Sequence, residues 1–430
     1  MFYLTSVISV INKNMIFGAL HQHLSCLLVG FLGVLLASCG GGSSSSPASG
    51  SGNVAVPTPN NVLAVVVDSG PVGVKDVVNQ PYVSVTICQP GTTVCQTIDH
   101  ILLDTGSLGL RIIAPGILNR ALNLPAVNAN GGFPVGECAQ FASGYQWGSV
   151  HLADVKMANE VAASLPIHIV ADTSAIFTTA PIDCKSSGAN IGSVAALGAN
   201  GVLGIGLFKE DCGIGCAAAA IAGTYYACSN IGCANISLPL AQQVANPVAS
   251  FARDNNGVLL TLPVVPLGGV TSLTGSLIFG IGTQANNSLV AETVYATNSQ
   301  GNFITTYNGK ALSASYLDSG SNGYYFDDKN IRACTGSTGF YCPLGGVALS
   351  AVNSSYDGRS SGVVSFRLEN VDTLNANIVA IQIGGNVSNF SSGFNSNSFD
   401  WGLPFFFGRR VFVAIENAST PNGRGPYWAY

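Results

Sequence analysis

Charge is scarce in this 430-residue chain: 9% of its residues are charged, with 16 Lys and Arg against 21 Asp and Glu. That scarcity, with a net charge of -5, excludes the basic footprint of a nucleic-acid binder. Charged amphipathic helices are disfavoured on the same ground, whereas the abundance of Gly, Ser, Thr, Asn and Val in a 47% hydrophobic composition favours strands and turns. Histidine is thin as well. Beyond the first 38 residues there are His100, His151 and His168, none in a His-Glu-x-x-His pair, so structural roles are expected for them. No Gly-Lys-Ser/Thr phosphate loop is present. Gly213-Ile214-Gly215-Cys216-Ala217-Ala218 imitates part of a dinucleotide fingerprint, but no acidic residue lies between Asp211 and Asp254 to hold a ribose. Neither a cofactor nor a metal is expected.

Lys and Arg are also missing from residues 40–61, a Gly/Ser/Pro-rich run without apolar periodicity that reads as a tether over 39–61. Ahead of it, residues 1–38 read as a targeting segment. Lys13 precedes an apolar stretch from Leu24 to Ala37 that is too short to span a bilayer comfortably. Leu36-Ala37-Ser38-Cys39-Gly40 resembles a bacterial lipobox, which implies cleavage before Cys39 and lipid on its sulfur and amino group. The expected location is therefore the bacterial cell envelope. No acidic residue follows Cys39, so the outer membrane is the expected destination in a Gram-negative cell. Ordinary secretory cleavage, with Cys39 incidental, is the alternative.

Twelve cysteines occur. Setting aside Cys26 and Cys39 leaves ten (12 − 2), an even number that favours disulfides in an exported protein. Cys88 with Cys95 and Cys334 with Cys342 lie across turns and are the expected local pairs. Pairing among Cys138, Cys184, Cys212, Cys216, Cys228 and Cys233 is open, and the spacing of the last four also suits zinc, which export disfavours.

What is present and unusual is a repeated turn. Ile101-Leu102-Leu103-Asp104-Thr105-Gly106-Ser107 runs an apolar strand into a lone carboxylate and a glycine turn, and Ser315-Tyr316-Leu317-Asp318-Ser319-Gly320-Ser321 repeats the order. An ionised carboxylate beside buried leucines is costly without partners. Glycine permits the tight turn and a close backbone approach, while Thr105, Ser107, Ser319 and Ser321 offer hydroxyls to carboxylates and amides. Each Asp could simply cap its turn. If the two turns meet, the carboxyls share a proton, one acting as acid and the other as base towards a water.

These residues resemble the pepsin-like aspartic peptidases, and the resemblance covers most of residues 62–430. Phe141-Ala142-Ser143-Gly144 is similar to the family's flap, with Phe141 where Tyr is usual and Arg111 where Trp is usual. Asn200 to Gly206 and Trp401-Gly402-Leu403-Pro404-Phe405-Phe406 resemble the segments beside the two aspartate turns, and Gly275 to Gly280, Asn308-Gly309-Lys310 and Arg409 to Ile415 match in order. The resemblance implies a mainly β, bilobal fold with a cleft between an N-terminal lobe (62–285) and a C-terminal lobe (286–430). It implies Asp104 and Asp318 as catalytic residues, with Thr105, Gly106, Ser107, Ser319, Gly320 and Ser321 supporting them, and Phe141, Ser143 and Gly144 as a substrate-binding flap. The implied function is an aspartic endopeptidase acting on peptide or protein substrate, expected as a monomer held at the membrane through its lipid. The alternatives are an inactive lipoprotein of the same fold that binds peptide or glycan, and a β-rich surface adhesin.

Alternation predicts strands at Val62–Val67, Tyr82–Ile87, Val258–Leu262, Phe303–Tyr307 and Val363–Leu368. A helix is expected over Pro239–Arg253, a linker starting at Asn286–Ser288, and a polar loop over Ser388–Ser398; Tyr145 is expected to be exposed, with substitution for the missing flap Tyr as the alternative.

Overall fold

The computed structural model describes residues 60–387 and 397–430. The expected signal segment, Cys39, the tether as far as residue 59 and residues 388–396 of the polar loop lie outside the described residues.

The chain begins with β1 (Val62–Val67), β2 (Pro81–Cys88), β3 (Cys95–Asp104), β4 (Leu108–Ile113), β5 (Val135–Phe141), β6 (Gly144–Met157), β7 (Glu160–Val170), β8 (Gly201–Ile205), β9 (Tyr225–Ser229) and β10 (Gly232–Asn235). It continues through β11 (Gly257–Thr261), β12 (Leu273–Phe279), β13 (Val294–Ala296), β14 (Phe303–Tyr307), β15 (Lys310–Leu317), β16 (Tyr324–Tyr325), β17 (Val347–Ser354) and β18 (Ser361–Leu368). Last come β19 (Gly384–Gly385), β20 (Asp400–Trp401), β21 (Arg410–Ala414), β22 (Ser419–Thr420), β23 (Gly423–Arg424) and β24 (Tyr427–Ala429). The longest α-helix among the described residues, Ile214–Ala218, has five residues, so the protein is mainly β.

Period-2 patterning explains the strands. In β18, Val364, Phe366 and Leu368 are buried while Val363 and Ser365 face solvent. The hairpin from β14 to β15 turns through Asn308 and Gly309, both at positive φ (49° and 76°), a pairing suited to a two-residue turn. The strands assemble into barrel-like sheets. β2, β3, β8, β4, β7 and β6 are neighbours in that order, and β6 pairs back onto β2 to close the ring. The same sheet continues as β1-β12-β11-β21-β24-β13, so strands near the C-terminus join the sheet that holds β1 to β10, with Leu259 of β11 opposite Phe412 of β21. A second sheet has the order β18-β17-β14-β15-β20-β16-β19. One apolar core runs through both, from Val65 and Leu103 to Leu317, Trp401 and Trp428.

One of the sequence expectations needs correction. Pro239–Arg253 is not a helix but two 3₁₀ turns, Leu240–Gln242 and Pro247–Ser250. Pro247 lacks an N–H and pushes Asn246 out of helical geometry. The Asn246 side chain instead accepts from Val248 N and donates to Gly206 O at 3.1 Å. At the expected start of the linker lies a 3₁₀ turn, Ala285–Asn287, whose buried Asn287 donates to Phe279 O at 2.9 Å. Asn61, at the expected end of the tether, is also buried and donates to the same carbonyl at 2.7 Å.

Candidate active site

β3 and β15 end on Asp104 and in front of Asp318, and the two turns meet. Gly106 N donates to Asp104 Oδ1 at 2.8 Å and Ser107 Oγ to Asp104 Oδ2 at 2.5 Å. The second turn repeats this: Gly320 N donates to Asp318 Oδ1 at 2.8 Å, and Ser321 Oγ lies 2.9 Å from Asp318 Oδ2. The hydroxyls between them cross. Thr105 Oγ1 donates to Leu317 O (3.1 Å) and accepts from Ser319 N (2.9 Å), while Ser319 Oγ donates to Leu103 O (2.7 Å) and accepts from Thr105 N (3.0 Å). Each glycine is needed for contact with the opposite acid, since a Cβ on Gly106 would stand 2.6 Å from Asp318 Cγ and one on Gly320 would stand 2.7 Å from Asp104 Oδ1. Thus all eight residues singled out in the two turns come together.

Both carboxyls are 0% exposed. Burial, then the charge of Asp104, then that of Asp400 push Asp318 well above the usual carboxylate range. The arrangement suits one ionised and one neutral acid sharing a proton.

Sequence reasoning missed Asp400. It sits beside the expected Trp401 segment, on β20, which pairs in parallel with β15. Its Oδ2 lies 2.6 Å from Ser321 Oγ, it is fully buried, and burial pushes it well above the usual range despite that bond. An acid interrupting the apolar run Phe399 to Phe407 was the available signal.

The flap expectations are altered. The β5–β6 hairpin exists, but its tip is pinned: Tyr145 N donates to Ala189 O and Ile191 N to Tyr145 O, each at 2.9 Å. Tyr145, expected to be exposed, is buried beside Cys138, Trp147 and Cys184, because the Cys138–Cys184 disulfide draws a neighbouring loop over it. Phe141 packs with Leu102, Ile113 and Val202, and Gly144 abuts the Ala189 carbonyl, where a Cβ would come within 2.0 Å. Ser143 Oγ is buried and makes no hydrogen bond. Ala142 reaches the second half of the chain, packing with Val78, Tyr325 and Ile381. Asn79 fastens the same side, donating to Asn322 O and Ile381 O at 2.7 and 2.8 Å and accepting from Ile381 N. Hairpin and Asn79 thus both bind the second half of the chain on the side of Asn322 and Ile381.

Arg111 supports the hairpin by charge. Its guanidinium donates to Leu108 O, to Glu137 Oε1 of β5 at 2.7 Å and to Asp211 Oδ2 at 3.1 Å, and it stands 5.9 Å from the centre of the Phe141 ring. Tyr225 donates to the other oxygen of Asp211 at 2.5 Å. These residues line a cavity of about 520 Å³ that starts at Gly106 and Ser107 and runs past Phe141 and Phe208. His168 Nδ1 lies 3.1 Å from Glu137, yet burial and Arg111 hold its ring well below pH 6.5.

Both expected disulfides form, Cys88–Cys95 and Cys334–Cys342, and the remaining pairs are Cys138–Cys184, Cys212–Cys216 and Cys228–Cys233. The zinc spacing is therefore consumed by disulfides. Cys334, Cys342 and Asp372 cluster within 4.8 Å, but two bonded sulfurs offer no thiolates to a metal.

Among known proteins, no curated sequence matches this chain. Residues 57–430 match the model of DUF3443, a family described as proteins of unknown function, and the chain belongs to that family.

Proposed function

We propose that this member of DUF3443 is a pepsin-like aspartic endopeptidase of bilobal fold, lipid-anchored through Cys39 at the outer membrane. One observation carries the reading: two acids 214 positions apart in sequence (318 − 104) face each other through crossed hydroxyls, with the glycine of each turn against the acid of the other. Asp318, pushed up by burial and by its neighbour's charge, holds the shared proton, and Asp104 is the base. Asp104 takes a proton from water as the water oxygen attacks the peptide carbonyl carbon. Asp318 gives its proton to the carbonyl oxygen; as the tetrahedral diol collapses and the C–N bond breaks, Asp104 passes its proton to the leaving nitrogen and Asp318 takes one back from a diol hydroxyl. The cavity beside Gly106 and Ser107 receives one arm of the extended substrate, and main-chain groups of the β5–β6 hairpin bind it as an added strand. Both acids are 0% exposed, so entry of substrate requires a local opening of the structure around them.

The test is cleavage of a peptide library by purified protein across pH 3 to 8. Loss of cleavage to background in both Asp104→Asn and Asp318→Asn is expected; cleavage surviving in either sinks the reading. Complete burial of both acids favours a second reading, a protein of this fold that binds peptide or glycan without turnover. Tight binding of a statine-type peptide with no cleavage of any library member would select it.

A further inference from the structure

Ser321 Oγ lies between two carboxyl oxygens, 2.9 Å from Asp318 Oδ2 and 2.6 Å from Asp400 Oδ2. A serine hydroxyl carries one proton and can donate to one of them. For both contacts to be hydrogen bonds, the other acid must itself be protonated and donate to the serine oxygen. The geometry therefore demands one proton on Asp318 or Asp400 besides the hydroxyl proton; the proton shared by Asp104 and Asp318 can meet that demand, so a second one rests on the surroundings of Asp400 itself. The electrostatic neighbours of Asp400 are Asp104 and Asp318, with Tyr316 on β15 and Tyr325 on β16 opposite it in the sheet, and none of these is a cation. Asp400 Oδ1 is buried without a hydrogen bond, a poor site for a full negative charge.

We propose that Asp400 is a positioning residue, the third carboxyl of the cluster, which stores a second proton and feeds it to Asp318 through Ser321. Asp400 gives its proton to Ser321 Oγ while Ser321 passes its own to Asp318 Oδ2, so Asp400 becomes the carboxylate and Asp318 the acid. Three carboxyls then share two protons. When the proton shared by Asp104 and Asp318 is lost on raising the pH, the stored one replaces it, and the singly protonated pair persists to higher pH than two acids alone allow. The proposal rests on the peptidase reading for its catalytic consequence, though the proton count does not.

The experiment is a ¹³C NMR titration of aspartyl carboxyls in the full chain, for wild type, Asp400→Asn and Ser321→Ala, with the pH profile of kcat/KM beside it. Asparagine keeps a donor towards Ser321 but holds no titratable proton. Two cluster protons retained at pH 6 in wild type and one in Asp400→Asn are expected. With them, the alkaline limb of Asp400→Asn should move about one pH unit towards acid, as removal of a neighbouring proton source implies. Ser321→Ala should keep both protons yet show the same displaced limb, since the relay is cut. If the Asp400 carboxyl titrates near pH 3.8, or if an active Asp400→Asn keeps the wild-type limb, the proposal is overturned. If wild type cleaves nothing, the peptidase reading falls and the proton count alone decides this one. If Asp400→Asn does not fold, a wild-type spectrum with one retained proton overturns the proposal and one with two supports it.

Discussion

At the scale of single residues, the two aspartate turns owe their geometry to atoms too small to be replaced. An alanine at Gly106 places a methyl carbon 2.6 Å from Asp318 Cγ, so the acids must separate. Gly106→Ala is expected to cut any peptidase turnover by about a hundredfold, in line with the sensitivity of catalysis to displacements of an ångström, while the circular dichroism spectrum stays that of a folded β protein. Thr105→Val keeps the shape but leaves Ser319 N and Leu317 O without their partner in a buried site. The expected loss is about 1–3 kcal/mol for each stranded group, read from urea unfolding. These residues were legible in the sequence because the turn occurs twice in the same order. Asp400 and Glu137 were not: their partners lie 79 and 26 positions away, and a lone acid in an apolar strand does not say which group meets it.

At the scale of elements, strands with clear alternation were legible, and β1 and β14 match their expected spans residue for residue. The expected helix at 239–253 does not form, because Pro247 removes a backbone donor and the Asn246 side chain accepts from Val248 N, starting a new short turn instead. The β5–β6 hairpin was legible as a hairpin, but its docking was not. Its tip is tied to residues 189–191 and to the second half of the chain, so amides at Tyr145 and Ile191 should exchange with deuterium orders of magnitude more slowly than those of the exposed turn at Gly358. Rapid exchange at both would show the tip to be open in solution. The Cys138–Cys184 bridge holds one of the packing loops across 46 positions. Replacing both cysteines by alanine should lower stability by up to about 4 kcal/mol on the chain-entropy account, measured by the denaturation midpoint.

At the scale of the whole molecule, buried ionisable groups set how stability follows pH. Burial raises Asp211, Asp318 and Asp400 above their ordinary 3.8. The folded chain thus keeps protons that the unfolded chain releases above that pH, and stability falls as pH rises, by about 1.4 kcal/mol per pH unit for each proton. His168 works in the opposite direction. Held neutral in the fold, it costs stability as pH drops below 6.5, where the unfolded ring takes up a proton. Between the two values the acids outnumber the histidine, so the thermal midpoint should peak near pH 4 and decline towards neutrality, most steeply above pH 6.5. Asp400→Asn should flatten that decline. A midpoint that rises from pH 4 to 7 would show that these acids are ionised in the fold.

The amino-acid sequence by itself determined the β-rich class, the paired aspartate turns and the two disulfides that span short turns, because alternation, turn chemistry and close cysteine spacing act over a few residues. Only the tertiary structure decided that the acids are fully buried, that a third carboxyl joins them and that strands from both ends of the chain share one sheet. Those outcomes rest on contacts such as Asn79 to Asn322 and Ile381, 243 and 302 positions apart, whose existence depends on how whole sheets close on one another.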